Sequence, residues 1–90
     1  MTKEKEAILP ASDEVVGKER NLVLFNDDVN TFDFVIETLM EICEHTLEQA
    51  ETCAWITHFK GKCAVKSGSY DKLIPYKQAL LEKHLTASIQ

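Results

Sequence analysis

Residues 20–30 read Arg-Asn-Leu-Val-Leu-Phe-Asn-Asp-Asp-Val-Asn, and the fold turns on how that stretch divides. Leu22-Val23-Leu24-Phe25 is a short apolar run. Its length and its bounding polar residues suit a buried strand, predicted over residues 21–25. Asn26-Asp27-Asp28-Val29-Asn30 then breaks the run, because Asn and Asp side chains bond their own backbone and favour turns. Asn30 is placed to cap a helix over residues 31–44, with Asp33 in the first turn where the helix dipole favours a carboxylate. Phe32, Val35, Ile36, Leu39 and Cys43 recur at helical spacing and form one apolar stripe.

Downstream, Thr46-Leu47-Glu48-Gln49 has the form of a capping box opening a second helix, residues 47–59, with Gly61 placed to end it. Ala50, Ala54 and Thr57 share a small-residue face of that helix. Trp55 and Phe59 lie one turn apart on another face. Residues 62–66 read as a second strand and Ser67-Gly68-Ser69 as a turn. A third helix is predicted over residues 75–83, since Pro75 suits a first turn and damages a helix interior. Leu73, Ile74, Tyr76, Leu80 and Leu81 supply its apolar contacts. The alternation over residues 85–89 suits a last strand. The segments run β-α-α-β-α-β. The class is α+β of the βααββα kind, three helices packed on a three-stranded antiparallel sheet. Upstream, residues 1–19 mix charges with Pro10, Ser12 and Gly17 and show no sustained apolar periodicity. They read as a flexible N-terminal tail before a core domain at 20–90.

Bulk properties narrow the function classes. Ninety residues make one domain, too small to enclose a large active site, so a surface groove is the natural site. A net charge of −5 opposes nucleic-acid binding, which needs a basic face. Cys43, Cys53 and Cys63 form no CxxC pair, so neither a disulfide framework nor a structural zinc site is expected, and the thiols read as reduced. The opening decapeptide lacks an apolar signal core, and no stretch is long enough to span a bilayer. A cytoplasmic protein without membrane contact is expected.

Two places could carry chemistry. Asn26-Asp27-Asp28 follows directly on a buried strand. It reads either as a solvated capping turn or as a site for a cation or ammonium group, which would receive charge-assisted hydrogen bonds. A calcium or magnesium site is a third reading, but the EF-hand spacing of Gly and Glu is absent. His58 closes the second helix and reads as a packing residue or as an acceptor for a ligand's donor. Serines 12, 67, 69 and 88 carry no nucleophile signature, no separated acid pair is visible, and no cofactor motif occurs.

Taken together, Leu24-Phe25-Asn26-Asp27-Asp28, then Phe34-Val35, then His58-Phe59-x-Gly61-Lys62 resemble the ClpS family. The resemblance covers residues 20–66 well, and residues 85–89 fit the family's last strand. It implies a non-enzymatic adaptor without cofactor. Such an adaptor binds a bulky hydrophobic N-terminal residue (an N-degron, under the N-end rule) and delivers the substrate to a Clp AAA+ protease through a ClpA- or ClpC-type chaperone. It is expected as a monomer. In the family the motif Asn and His hold the substrate's α-amino group, here Asn26 and His58. Asp27 would act around the substrate backbone, and Asp28 would add negative potential at the rim. The pocket walls map to Leu24, Phe25, Phe32, Val35, Ala54, Thr57 and Leu85.

The sequence also departs from the family. Asn30 stands for a usual Thr, Thr31 for Pro, Phe32 for Met, Ala54 for a second Met and Thr57 for Val. The third-helix region is shorter, so the family's charged chaperone contacts there are not carried over. A likeness to the ribosomal stalk protein's C-terminal domain leaves a ribosome-associated binding module as an alternative. A small metal- or thiol-dependent enzyme is another.

Overall fold

A computed structural model describes residues 18–90. Apart from Lys18 and Glu19, the expected tail lies outside the described residues. Six elements follow in order: β1 (Glu19–Phe25), α1 (Phe32–Ile42), α2 (Leu47–Lys60), β2 (Lys62–Ser69), α3 (Tyr70–Glu82) and β3 (Thr86–Ile89). This is the β-α-α-β-α-β order of the segments, and in the βααββα shorthand the last two elements are transposed. The class is as expected, three helices with a three-stranded antiparallel sheet of order β2-β1-β3. The apolar run therefore forms the central strand. Leu22 and Leu24 are buried to within 1% and join Leu39 of α1 and its cap residue Cys43, Ala50 of α2, and Leu73 and Leu80 of α3 in one core cluster.

Several boundaries differ from the sequence reading. The α1 cap is Thr31, not Asn30: Thr31 Oγ1 accepts from the Phe34 N–H at 3.0 Å. Asn30 is drawn away by other partners, described below. Residues 67–69 are not a turn but continue β2, because β1 reaches back to Glu19 and supplies a partner as far as Ser69. Ser69 then caps α3 directly, its Oγ accepting from Lys72 N–H at 3.3 Å. Consequently Pro75 lies inside α3, which begins at Tyr70. The bond that Pro75 cannot donate would go to Asp71 in the exposed first turn. Leu73, fully buried, anchors that turn against the core and outweighs the loss. Finally, β3 begins at Thr86, with Leu85 just before it.

One irregularity shapes the sheet. Leu22 pairs with Lys66 but Val23 with Ala64, so Val65 is left over as a bulge. Its carbonyl instead accepts from His45 Nε2 at 2.7 Å. His45 thereby ties the turn between α1 and α2 to the sheet.

Candidate functional site

A cleft of about 460 Å³ opens where the end of β1, the start of α1, the end of α2 and the entry to β3 meet. All eleven residues singled out from the sequence line it. Asn26, Asp27, Asp28 and His58 are there, and so are Leu24, Phe25, Phe32, Val35, Ala54, Thr57 and Leu85. One further lining residue is Asn30. The sequence reading had spent it on a helix cap.

The loop side is built from hydrogen bonds. Asp27 accepts on Oδ1 from the N–H groups of Val29 and Asn30, both at 2.8 Å, and on Oδ2 from the Asn30 amide at 3.0 Å. The second hydrogen of that amide goes to the His84 carbonyl, also at 3.0 Å. Asn30 thus staples the loop to a segment 54 residues away in sequence. Burial alone would raise the Asp27 carboxyl. The bonds from Asn30 backbone, Asn30 side chain and Val29 backbone outweigh it and hold the group below its ordinary value of 3.8. In this geometry Asp27 shapes the loop with both its oxygens. Asn26 is pinned by its own N–H, which donates to the Gly61 carbonyl at 2.9 Å. Its side-chain amide makes no hydrogen bond among the described residues.

Gly61 is also the cap of α2. It sits at φ 96°, and its N–H donates to Thr57 at 2.9 Å, so the helix stops there. The capping box Thr46–Gln49 fixes the other end, as the sequence indicates. Between them α2 turns Ala54 and Thr57 inward, 3% and 5% exposed, while His58 stays exposed at the rim. Small residues at 54 and 57 leave room beside them. Phe32 meets His58 edge-on with centroids 6.3 Å apart, and Trp55 at 5.3 Å. Trp55 stacks on Phe59 at 4.7 Å. These rings buttress the mouth of the cleft.

The last wall comes from the end of α3. Leu85 N–H bonds the Leu80 carbonyl and His84 N–H bonds that of Leu81, with His84 at φ 69°. That is a Schellman closure, with a non-glycine residue in the left-handed position. It drives Leu85 inward, where it is 3% exposed, and leaves the His84 carbonyl for Asn30.

This arrangement suits binding more than turnover. It offers an apolar interior with an amide, an imidazole and carboxylates at its edge. Burial pushes the Cys43 thiol up to about 11. Burial, with Cys63 beside it, pushes Cys53 to about 12, so neither is a thiolate nucleophile near neutral pH. Among the described residues no three His, Cys, Asp or Glu side chains are grouped to hold a metal. No described helix is long and apolar enough to cross a membrane.

Comparison with known proteins bears on the same region. Residues 17–88 match the family model for the ATP-dependent Clp protease adaptor protein ClpS. The ATP-dependent Clp protease adapter protein ClpS of Acetivibrio thermocellus is 38% identical over 66 residues, which is 73% of this chain and 66% of that protein. The protein of the same name from Campylobacter jejuni is 46% identical over 44 residues, 49% of this chain and 46% of its own. The match thus spans less than two thirds of either relative's length. The structure of Agrobacterium tumefaciens ClpS2 bound to L-phenylalaninamide superposes with a TM-score of 0.74. It covers 81% of this chain and 95% of that one at 22% identity, a likeness of fold.

Proposed function

The chain belongs to the ClpS family of adaptor proteins, and from that premise we propose that its cleft captures the N-terminal residue of a substrate. The substrate's first side chain, bulky and hydrophobic, enters between Val35, Ala54, Thr57 and Leu85. Its α-amino group, with an ordinary pKa of about 7.7–8.0, is mostly charged at neutral pH. Asn26 accepts from it through the amide oxygen and His58 through a neutral ring nitrogen. Asp28 adds negative potential. Asp27 and Asn30 hold the loop in place. The bound protein is then delivered to a Clp AAA+ chaperone of ClpA or ClpC type for degradation, with residues 1–19 reaching the chaperone's pore.

One observation carries this reading. Residues far apart in sequence, from two short motifs and from the pocket walls that the family resemblance implies, converge on one cleft with an apolar interior and a hydrogen-bonding edge. Burying a Leu or Phe side chain contributes roughly 1.5–3 kcal/mol. Each charge-assisted hydrogen bond adds about 1.5–3 kcal/mol. These terms favour binding, and the cost of association is set against them. The ligand in the Agrobacterium ClpS2 structure, L-phenylalaninamide, has the free amine and apolar side chain this reading requires.

The test is fluorescence anisotropy with peptides led by Leu or Phe. Acetylating the peptide's N-terminus is expected to abolish most binding, and replacing the first residue by Asp or Gly likewise. Equal affinity for free and acetylated peptides would remove the proposal.

A further inference from the structure

Thr57 holds a group that the fold leaves unmatched. The residue is 5% exposed and lines the cleft, yet its hydroxyl is buried with no hydrogen-bond partner. A helical threonine ordinarily satisfies its hydroxyl on the carbonyl one turn back. That bond is not made here, and unsatisfied buried polar groups are rare enough to need a cause. Water is a poor remedy at this spot. A buried water needs two to four polar partners, and the cleft lining includes the apolar Leu24, Val35, Ala54 and Leu85, which offer none. A guest side chain that brings its own polar atom can supply the missing partner.

Threonine also has the means to respond. In a helix its χ1 divides between two rotamers, and stepping between them turns the hydroxyl by about 120° while the backbone stays still. The neighbouring backbone is fixed, since the Thr57 carbonyl accepts the capping bond from Gly61 at 2.9 Å.

We propose that Thr57 is a specificity-determining residue, whose hydroxyl selects substrates with a hydrogen-bonding atom at the end of the first side chain, tyrosine over phenylalanine. The proposal rests on the reading of the cleft as a first-residue pocket. Phenylalanine leaves the hydroxyl buried and unpaired. Tyrosine offers a phenolic O–H that both donates and accepts.

The experiment measures binding of two peptides identical except for Tyr or Phe at the first position, by anisotropy, to the unaltered protein, Thr57→Val and Thr57→Ser. Val keeps the shape and loses the hydroxyl, while Ser keeps the hydroxyl and loses the methyl. The Tyr-to-Phe affinity ratio is expected to fall about threefold to tenfold in Thr57→Val and to hold in Thr57→Ser. A ratio that Thr57→Val does not move overturns the proposal, whichever peptide the unaltered protein prefers. So does an equal fall in Thr57→Ser, which would assign the effect to shape. If the unaltered protein binds neither peptide, the pocket reading itself fails. If it binds both and Val changes nothing, only the selection by Thr57 fails.

Discussion

Residues 26–30 and the face of α2 bearing Ala54, Thr57 and His58 wall the same cleft, but they are held by different forces. The loop has few apolar contacts and is shaped by Asp27, whose two oxygens take three N–H donors, and by the Asn30 staple to His84. The helix face is shaped by packing, with Ala54 and Thr57 buried and the Phe32, Trp55 and Phe59 rings in contact behind the mouth. A hydrogen-bonded wall fixes where atoms sit and responds to charge. A packed wall fixes how much space there is and responds to volume. Under the proposed function the two halves of first-residue recognition, amine and side chain, would fall on these two kinds of wall, with His58 at the seam.

The sharpest way to break the contrast is to remove both proposed amine acceptors. Asn26→Ala with His58→Ala is expected to weaken Leu- and Phe-led peptides by more than about a hundredfold, the loss of two charge-assisted bonds. The melting temperature should hold, since both side chains are exposed. Retained affinity in the double variant would move the amine site elsewhere.

Next in size is the loop wall itself. Asp27→Ala orphans three donors and is expected to cost roughly 1–3 kcal/mol in chemical denaturation at pH 7. Peptide affinity should fall about tenfold as the loop loosens. The pH dependence has a definite sign. The folded carboxyl lies below its ordinary 3.8. Its stabilisation is therefore complete above that value and is lost as pH falls through the lower, folded one. The gap between the unaltered protein and Asp27→Ala should thus be full at pH 7 and narrow only below about pH 4. A gap that persists undiminished at pH 2 would show that the ionised carboxylate is not the cause.

The packed wall should answer to size. Ala54→Met fills space beside Thr57 with a long, flexible chain. It is expected to weaken Trp- or Tyr-led peptides about fivefold to tenfold more than Leu-led ones, on the order of 1 kcal/mol. A large drop in melting temperature with unchanged preference would place Ala54 in the core and not in the cleft. The smallest effect belongs to the α3 end. His84→Gly relieves a left-handed residue at φ 69°. The relief of about 1–2 kcal/mol is offset by about 0.5–1 kcal/mol of glycine entropy. A net gain near 0.5–1 kcal/mol is expected in denaturant unfolding, with peptide affinity preserved because the carbonyl that binds Asn30 remains. A loss of affinity would show that the imidazole, too, serves the cleft.

Local chemistry made much of the molecule legible. The capping box, the Gly61 stop and the central apolar strand depend on neighbours within a few positions, and the cleft residues follow from two compact motifs and the family resemblance. The misreadings have a common physical origin. Asn30 and Thr31 are both good caps, and what separates them is the His84 carbonyl, 54 residues from Asn30. The residues 67–69 look like a turn until β1 is extended back to Glu19 and pairs them. Pro75 argues for a helix start by its own conformation, but the burial of Leu73 places the start five residues earlier. The staple role of Asn30 was likewise out of reach, because only its position in a polar turn is written locally. Tertiary partners decide these cases, and no window of the sequence contains both members of the pair.

The central place of β1 has a consequence for isotope exchange. Residues 22–25 pair with a strand on each side, and the very next residues are the loop that lines the cleft. In deuterated water the amides of Val23 and Leu24 should exchange only through global opening, while that of Asp28 exchanges within the dead time of mixing. A step of several orders of magnitude in protection would then fall within about five residues of chain. Guest binding should slow the outer side of that step and leave the inner side at the rate set by the whole domain. The boundary between the two regimes would report occupancy of the cleft residue by residue, without a label on either partner.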